Sequence, residues 1–229
     1  IRDSYNTEME IDSVKTIYHN VETNGIGYVT LLFDLSAVKE EDLPYVGILQ
    51  SVLGIIDTEN YEYGELFNEI NIHTGGIGTS LELYADAQKV KEKEFKATFE
   101  MKGKSLYPKM DVLFSMMREI LTCSKLDDEK RLKEIVSEQK SRTQMRLTTA
   151  GHSAAATRAM AYFSETAAFS DRSSGIDYYR MLDDLDANFE TKKEKLKRKL
   201  KKAESYLLAI MWDIMTDRCF ICCLRTVSL

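Results

Sequence analysis

An α+β domain is the fold class this sequence predicts: an antiparallel or mixed sheet with helices packed on one face, followed by a helical C-terminal extension. Three observations predict it. Alternation of apolar and polar residues is confined to two blocks, Val14–Leu35 and Thr79–Lys102, with helical periodicity elsewhere. Two prolines and eleven glycines in 229 residues argue against both disorder and a turn-dense all-β fold. A hydrophobic share of 44% is enough for a substantial core.

The first block reads as an antiparallel hairpin. Two alternating runs, Thr16–Thr23 and Gly25–Leu35, flank Asn24-Gly25, a pair suited to the positive φ angles of a tight turn. Glu40, Glu41 and Asp42 then place negative charge where the next helix begins. Leu43–Ile56 is apolar nearly all round, the pattern of a helix buried on most faces. Tyr61–Ile72 reads as a second helix. Gly75, Gly76 and Gly78 release the chain into strands at Thr79–Asp86 and Glu94–Lys102, with a charged turn at Lys89–Glu94.

From there the pattern is helical. Pro108 sits where a helix can start, and Met110, Leu113, Phe114, Met117 and Leu121 mark one face of Lys109–Thr122. Asp127–Met145 follows with an acidic first turn. Gly151-His152-Ser153 interrupts it. The Ala-rich run Ala154–Ala168 predicts a helix packed closely on a neighbour. After a turn at Ser173–Gly175, a helix over Gly175–Glu190 continues into a basic run, Thr191–Lys202, read as a solvated face. The chain divides into residues 1–190, the α+β domain, and 191–229, the basic helix and an apolar tail containing cysteines.

Composition narrows the function. A net charge of −6 disfavours a nucleic-acid binder, which needs concentrated cation. No apolar run reaches the 18 residues of a membrane-spanning helix. The polar, acidic start at Ile1–Asp12 is not a signal or transit peptide, and the Ile1 start reads as a piece of a longer protein. Cys123 is isolated and Cys219, Cys222 and Cys223 cluster, which suits a reducing compartment such as the cytoplasm better than a disulfide framework.

No residue carries a catalytic, cofactor or metal signature. His19, His73 and His152 each lack a second ligand at helical spacing, and catalytic zinc needs three protein ligands. Cys219, Cys222 and Cys223 form C-x-x-C-C with no second pair. Gly75-Gly76-x-Gly78 lies between helix and strand, the reverse of a phosphate loop. Ser153 and Ser164 lack nucleophile context, since the run Gly151–Ala155 ends in Ala155 where the G-x-S-x-G pattern needs glycine.

The order of LPYVGILQSVLG, EINIHTGGI, KEIVSEQKSR and SGIDYYRMLDDL, over roughly Lys15 to Leu200, resembles a domain of the M16 (insulinase-like) metallopeptidases, in the presequence-protease branch. The catalytic domain of that family carries His-x-x-Glu-His on its first helix. The matching helix here offers Val46, Gly47, Ile48, Leu49 and Gln50. The resemblance implies the third, non-catalytic domain of a four-domain enzyme whose zinc lies in another domain. It implies partners too: the catalytic half of the same peptidase and unfolded peptide substrate. The substrate-holding glycine-rich segment of the family's fourth domain has no match. After Lys202 the sequence departs from the family, which continues into a strand. Two expectations close this reading. A stand-alone interaction protein using the basic helix and tail is the alternative, and Tyr206, Leu207, Leu208, Ile210, Met211, Trp212, Ile214 and Met215 predict a homodimer through the segment after Lys202.

Overall fold

Backbone pairing gathers strands from both ends of the chain into a single mixed sheet. The computed structural model describes residues 6–11, 14–85, 95–212 and 219–225. The strands are β1 (Asn6–Ile11), β2 (Val14–Asn20), β3 (Ile26–Asp34), β4 (Ile77–Ala85), β5 (Phe95–Leu106) and β6 (Cys219–Arg225). Their order across the sheet is β1-β2-β6-β3-β5-β4. Every pairing is antiparallel except β2 with β6.

Two features of this sheet correct the sequence reading. Asn24 and Gly25 do make the expected turn, with φ of 51° and 79°, but β2 and β3 do not pair. β6 lies between them, parallel to β2 and antiparallel to β3. The residues after Lys202, read as an apolar departure from the family, supply that strand. β1 was not predicted, although Thr7, Met9 and Ile11 alternate with Glu8 and Glu10 along it. Asp86 and the charged turn at Lys89–Glu94 lie outside the described residues, as do Ile214 and Met215.

The helices are α1 (Leu43–Val52), α2 (Tyr63–His73), α3 (Met110–Thr122), α4 (Glu129–Thr149), α5 (Gly151–Met160), α6 (Glu165–Ser174), α7 (Ile176–Ala187) and α8 (Phe189–Trp212). α1 stops short of the predicted Ile56, and the chain turns at Gly54 with φ of 87°. Asp128 caps α4, accepting from the Arg131 amide at 3.0 Å. The Ala-rich run does not form one close-packed helix. α5 ends at Met160, Ser164 caps α6, and α5 buries no residue. α5 lies beside α6, to which Arg158 pairs through Asp171, and Ala167 of α6 is the alanine of the run that is buried.

The core lies between the helices and one face of the sheet. Val29, Phe33, Phe99 and Met101 of the sheet meet Ile48, Leu49 and Val52 of α1, Leu113 and Met117 of α3, and Leu182 of α7. α8 belongs to this core. Phe189, Leu196, Leu200, Ala203 and Leu207 are buried at steps of seven, four, three and four, a single helical stripe. Several lysines beside the stripe pair with carboxylates of the same domain, while Lys195, Arg198 and Lys201 stay exposed. Lys193 and Lys197 reach Glu129 at 2.7 and 2.9 Å. Lys199 and Lys202 converge on Asp42, Lys202 at 2.7 Å. Of the segment after Lys202, on which the homodimer expectation draws, Ala203 and Leu207 pack into the core of the chain.

Candidate functional site

α1 is the place to look first, because the family resemblance matches it to a zinc-binding helix. Val46, Ile48 and Leu49 point into the core. Gln50, the one polar side chain of the matched five, donates to the Thr79 carbonyl at 3.3 Å, and Thr79 Oγ1 returns a bond to the Gln50 carbonyl at 2.8 Å. These residues do not fit a zinc ion, whose ligands are thiolate, imidazole and carboxylate.

The sequence candidates are not brought together. His19 is half-buried on β2. His73 ends α2, where Nδ1 meets Lys109 Nζ at 3.0 Å and Nε2 meets Glu69 at 3.3 Å. His152 is exposed on α5. Among the described residues no group of three or more His, Cys, Asp or Glu is placed to hold a metal. Ser164 Oγ accepts from the Ala167 amide at 3.4 Å as a helix cap. Gly75 turns the chain against β5, its amide donating to the Lys104 carbonyl at 2.7 Å.

What the fold does build is a polar cavity on the outer side of α1. It measures about 190 Å³ and is lined by Gly47, Gln50 and Ser51 of α1, Gln139, Arg142, Thr143 and Arg146 of α4, Ser173 and Ser174 of α6, and Tyr178 of α7. Gly47 makes the arrangement possible. A Cβ there would stand 2.8 Å from the Ser173 carbonyl oxygen and 3.1 Å from Tyr178 Cε2, so only glycine lets α6 and α7 come this close to α1. Tyr178 is 4% exposed, and its hydroxyl makes no hydrogen bond among the described residues. Burial pushes its pKa up to about 12, against the opposing pull of the Ser51 hydroxyl and the Arg146 charge. Ser51 itself donates to the Gly47 carbonyl at 3.1 Å. Arg142 is held by Glu138 at 2.5 Å, and Arg146 donates to the Ser174 carbonyl.

The cavity shares Gln50, Ser51, Gln139 and Arg142 with a wider cleft of about 610 Å³, walled by Leu53, Ile55, Tyr63, Phe67 and Arg131. Arg131 stacks over the Tyr63 ring at 4.3 Å and donates twice to the Ile55 carbonyl, at 2.9 and 3.0 Å. A third hollow, about 570 Å³, opens where Tyr162 and Phe163, 82% and 75% exposed, stand over Leu35, Val38, Phe95 and Phe169. On the sheet face away from the helices, Glu100 is buried. It accepts from Tyr84 at 2.5 Å and Thr98 at 3.2 Å, and it pairs with Lys102 at 2.8 Å. None of these hollows was anticipated from the sequence, because their walls come from residues that lie far apart along the chain.

Residues 1–185 match the family described as peptidase M16, subfamily C, associated. Protein HypA of Clostridium perfringens is 34% identical over 200 residues, covering 87% of this chain and 20% of that protein. Presequence protease 1, chloroplastic/mitochondrial, of Arabidopsis thaliana is 29% identical, covering 87% of this chain and 18% of its own length. The mitochondrial presequence protease of Saccharomyces cerevisiae is 26% identical over 213 residues, covering 90% of this chain and 21% of its own length. The chain thus spans about a fifth of these curated relatives. In fold alone, it resembles a conserved protein of Enterococcus faecalis V583, with a TM-score of 0.62 and 11% identity, covering 98% of this chain and 49% of that one.

Proposed function

The chain belongs to the family of domains associated with subfamily C of the M16 peptidases, and on that premise we propose that it is a non-catalytic domain of a peptide-degrading zinc metallopeptidase of that subfamily. In this reading it walls part of the substrate chamber and docks on the catalytic half, and zinc belongs to that half. The observation that carries the reading is the family match across the fold combined with an α1 whose matched side chains are core residues and an engaged glutamine. Two surface features support it. Tyr162, Phe163, Phe67 and Ile72 are exposed apolar side chains of the kind that a partner surface covers. The clefts beside α1 are large enough for peptide side chains. For the alternative reading, an interaction protein using its basic helix and apolar tail, Lys193, Lys197, Lys199 and Lys202 are already paired with Glu129, Asp42, Glu190, Glu194 and Glu41, which leaves Lys195, Arg198 and Lys201 exposed.

Co-expression tests this. The tagged chain should co-purify with a catalytic half of the same peptidase subfamily, encoded by the same gene, and restore chelator-sensitive peptide cleavage. Alone, after dialysis, it should hold no stoichiometric zinc and cleave no fluorogenic peptide. One zinc per isolated chain with chelator-sensitive turnover overturns the non-catalytic assignment, and failure to associate overturns the docking.

A further inference from the structure

The cavity behind α1 has the composition of an oxyanion site. It holds the Tyr178 hydroxyl and two guanidinium groups, while the hydroxyls of Ser51, Ser173 and Ser174 donate to backbone carbonyls. The Tyr178 hydroxyl carries most weight. It is buried, it completes no hydrogen bond among the described residues although the Ser51 hydroxyl is nearby, and it lines this cavity. A buried donor without an acceptor is costly to keep and is rare in folded proteins. A ligand oxygen arriving in the cavity would satisfy it. With its pKa pushed upward by burial, the hydroxyl stays protonated at neutral pH and can only serve an acceptor by donating.

The charges at the mouth give the ligand's sign. Arg142 is offset by Glu138, which leaves Arg146 as the net positive charge beside the hydroxyl. Arg146 spends one bond on the Ser174 carbonyl and keeps further N–H donors in its planar fork. Arg158 and Arg131, the neighbouring guanidinium groups, are committed elsewhere, the first to Asp171 and Asp177 at 2.6 Å each.

The size and the neighbourhood select the kind of anion. About 190 Å³ has room for a carboxylate and the atoms next to it, and the cavity shares Gln50, Ser51, Gln139 and Arg142 with the cleft of Tyr63 and Phe67. An oxyanion pocket beside a cleft whose apolar part is Leu53, Ile55, Tyr63 and Phe67, set among Arg131, Glu138 and Gln139, matches the end of a peptide, with a carboxylate next to a hydrophobic side chain. We propose that this chain binds the C-terminal carboxylate of peptides, with Tyr178 and Arg146 holding the oxygens and the Tyr63–Phe67 cleft taking the apolar side chain nearby. The assignment rests on the peptide-handling role proposed above, yet it is tested on the isolated chain, so its failure leaves docking and the absence of zinc untouched.

The experiment uses N-terminally fluorescein-labelled hexapeptides ending in Phe, once with a free carboxylate and once as the C-terminal amide. Fluorescence anisotropy reads their binding to the full chain. The acid should bind at least about tenfold tighter, the effect of a lost charge-assisted bond. Tyr178→Phe and Arg146→Met should each erase most of that preference while leaving amide binding unchanged, and thermal melts check that both variants fold. Equal affinity for acid and amide overturns the proposal. So does a preference that survives in both variants, or no binding of either peptide. Inorganic phosphate and acetate serve as competitors. Phosphate that binds while the peptides do not would reassign the cavity to a free anion and also overturn the peptide assignment.

Discussion

Leu200→Ala asks whether the basic C-terminal helix is a solvated extension or a structural wall of the domain. Leu200 is 0% exposed and lies on the face of α8 that packs against α1, α3, α7 and β3. A buried leucine cut to alanine loses its transfer energy and leaves a cavity, together about 2–5 kcal/mol. Full burial in a helix packed on several elements leaves little room for collapse into the gap, which favours the middle of that range, about 3–4 kcal/mol. In a chain of this size each kcal/mol moves the melting temperature by about 2–4 °C, so a drop on the order of 10 °C is expected. Urea unfolding followed by far-UV circular dichroism gives the free energy directly. Lys201→Ala is the control. Its side chain is 59% exposed, its nearest carboxylate is Asp127 at 3.9 Å, and its effect should stay within about 0.5 kcal/mol. If Leu200→Ala matches the parent as closely as the control does, α8 is solvated and the core assignment fails. A chain cut at Glu190 should by the same reasoning lose cooperative unfolding.

Two further outcomes follow from the packing. Asp42→Asn should destabilise the domain at pH 7. Burial raises the carboxyl's pKa, but bonds and charge from Lys199 and Lys202 outweigh it and hold the pKa below the ordinary value. A depressed folded pKa stabilises above the unfolded value of about 3.9 and ceases to do so as pH falls through the folded value. The difference between parent and variant should therefore be full at pH 7 and close towards pH 3 in urea midpoints, and a gap independent of pH would refute the ion-pair account. Leu49→Asp sets an unpaired charge at a site that is 0% exposed and should abolish the folded state, visible as loss of the thermal transition.

Residues close in sequence made much of this molecule legible. Alternation over Phe95–Met101, the near-continuous apolar surface that begins at Leu43, the acidic start at Asp127–Glu129 and the Asn24-Gly25 turn are local signals, and the strand, the two helices and the turn they announce are present. The lack of metal ligands on α1 was equally a matter of reading five adjacent residues. Strand pairing was not legible. A backbone hydrogen bond carries no side-chain label, so nothing in Thr16–Leu35 indicates that Cys219–Arg225 will separate its two strands. The role of α8 was hidden for a different reason. An amphipathic stripe of Leu196 and Leu200 among lysines suits a solvated helix as well as a packed one, and only the positions of Glu129 and Asp42 decide between them. The cavity is the extreme case: Gly47, Ser51, Arg146 and Tyr178 have no common motif, and they meet only because a glycine on α1 admits a tyrosine from α7. Sequence determined the local character of most segments between β2 and α8, since propensity and periodicity act over a few residues. Tertiary structure decided which of them touch, since packing and pairing act between segments that the chain itself keeps far apart.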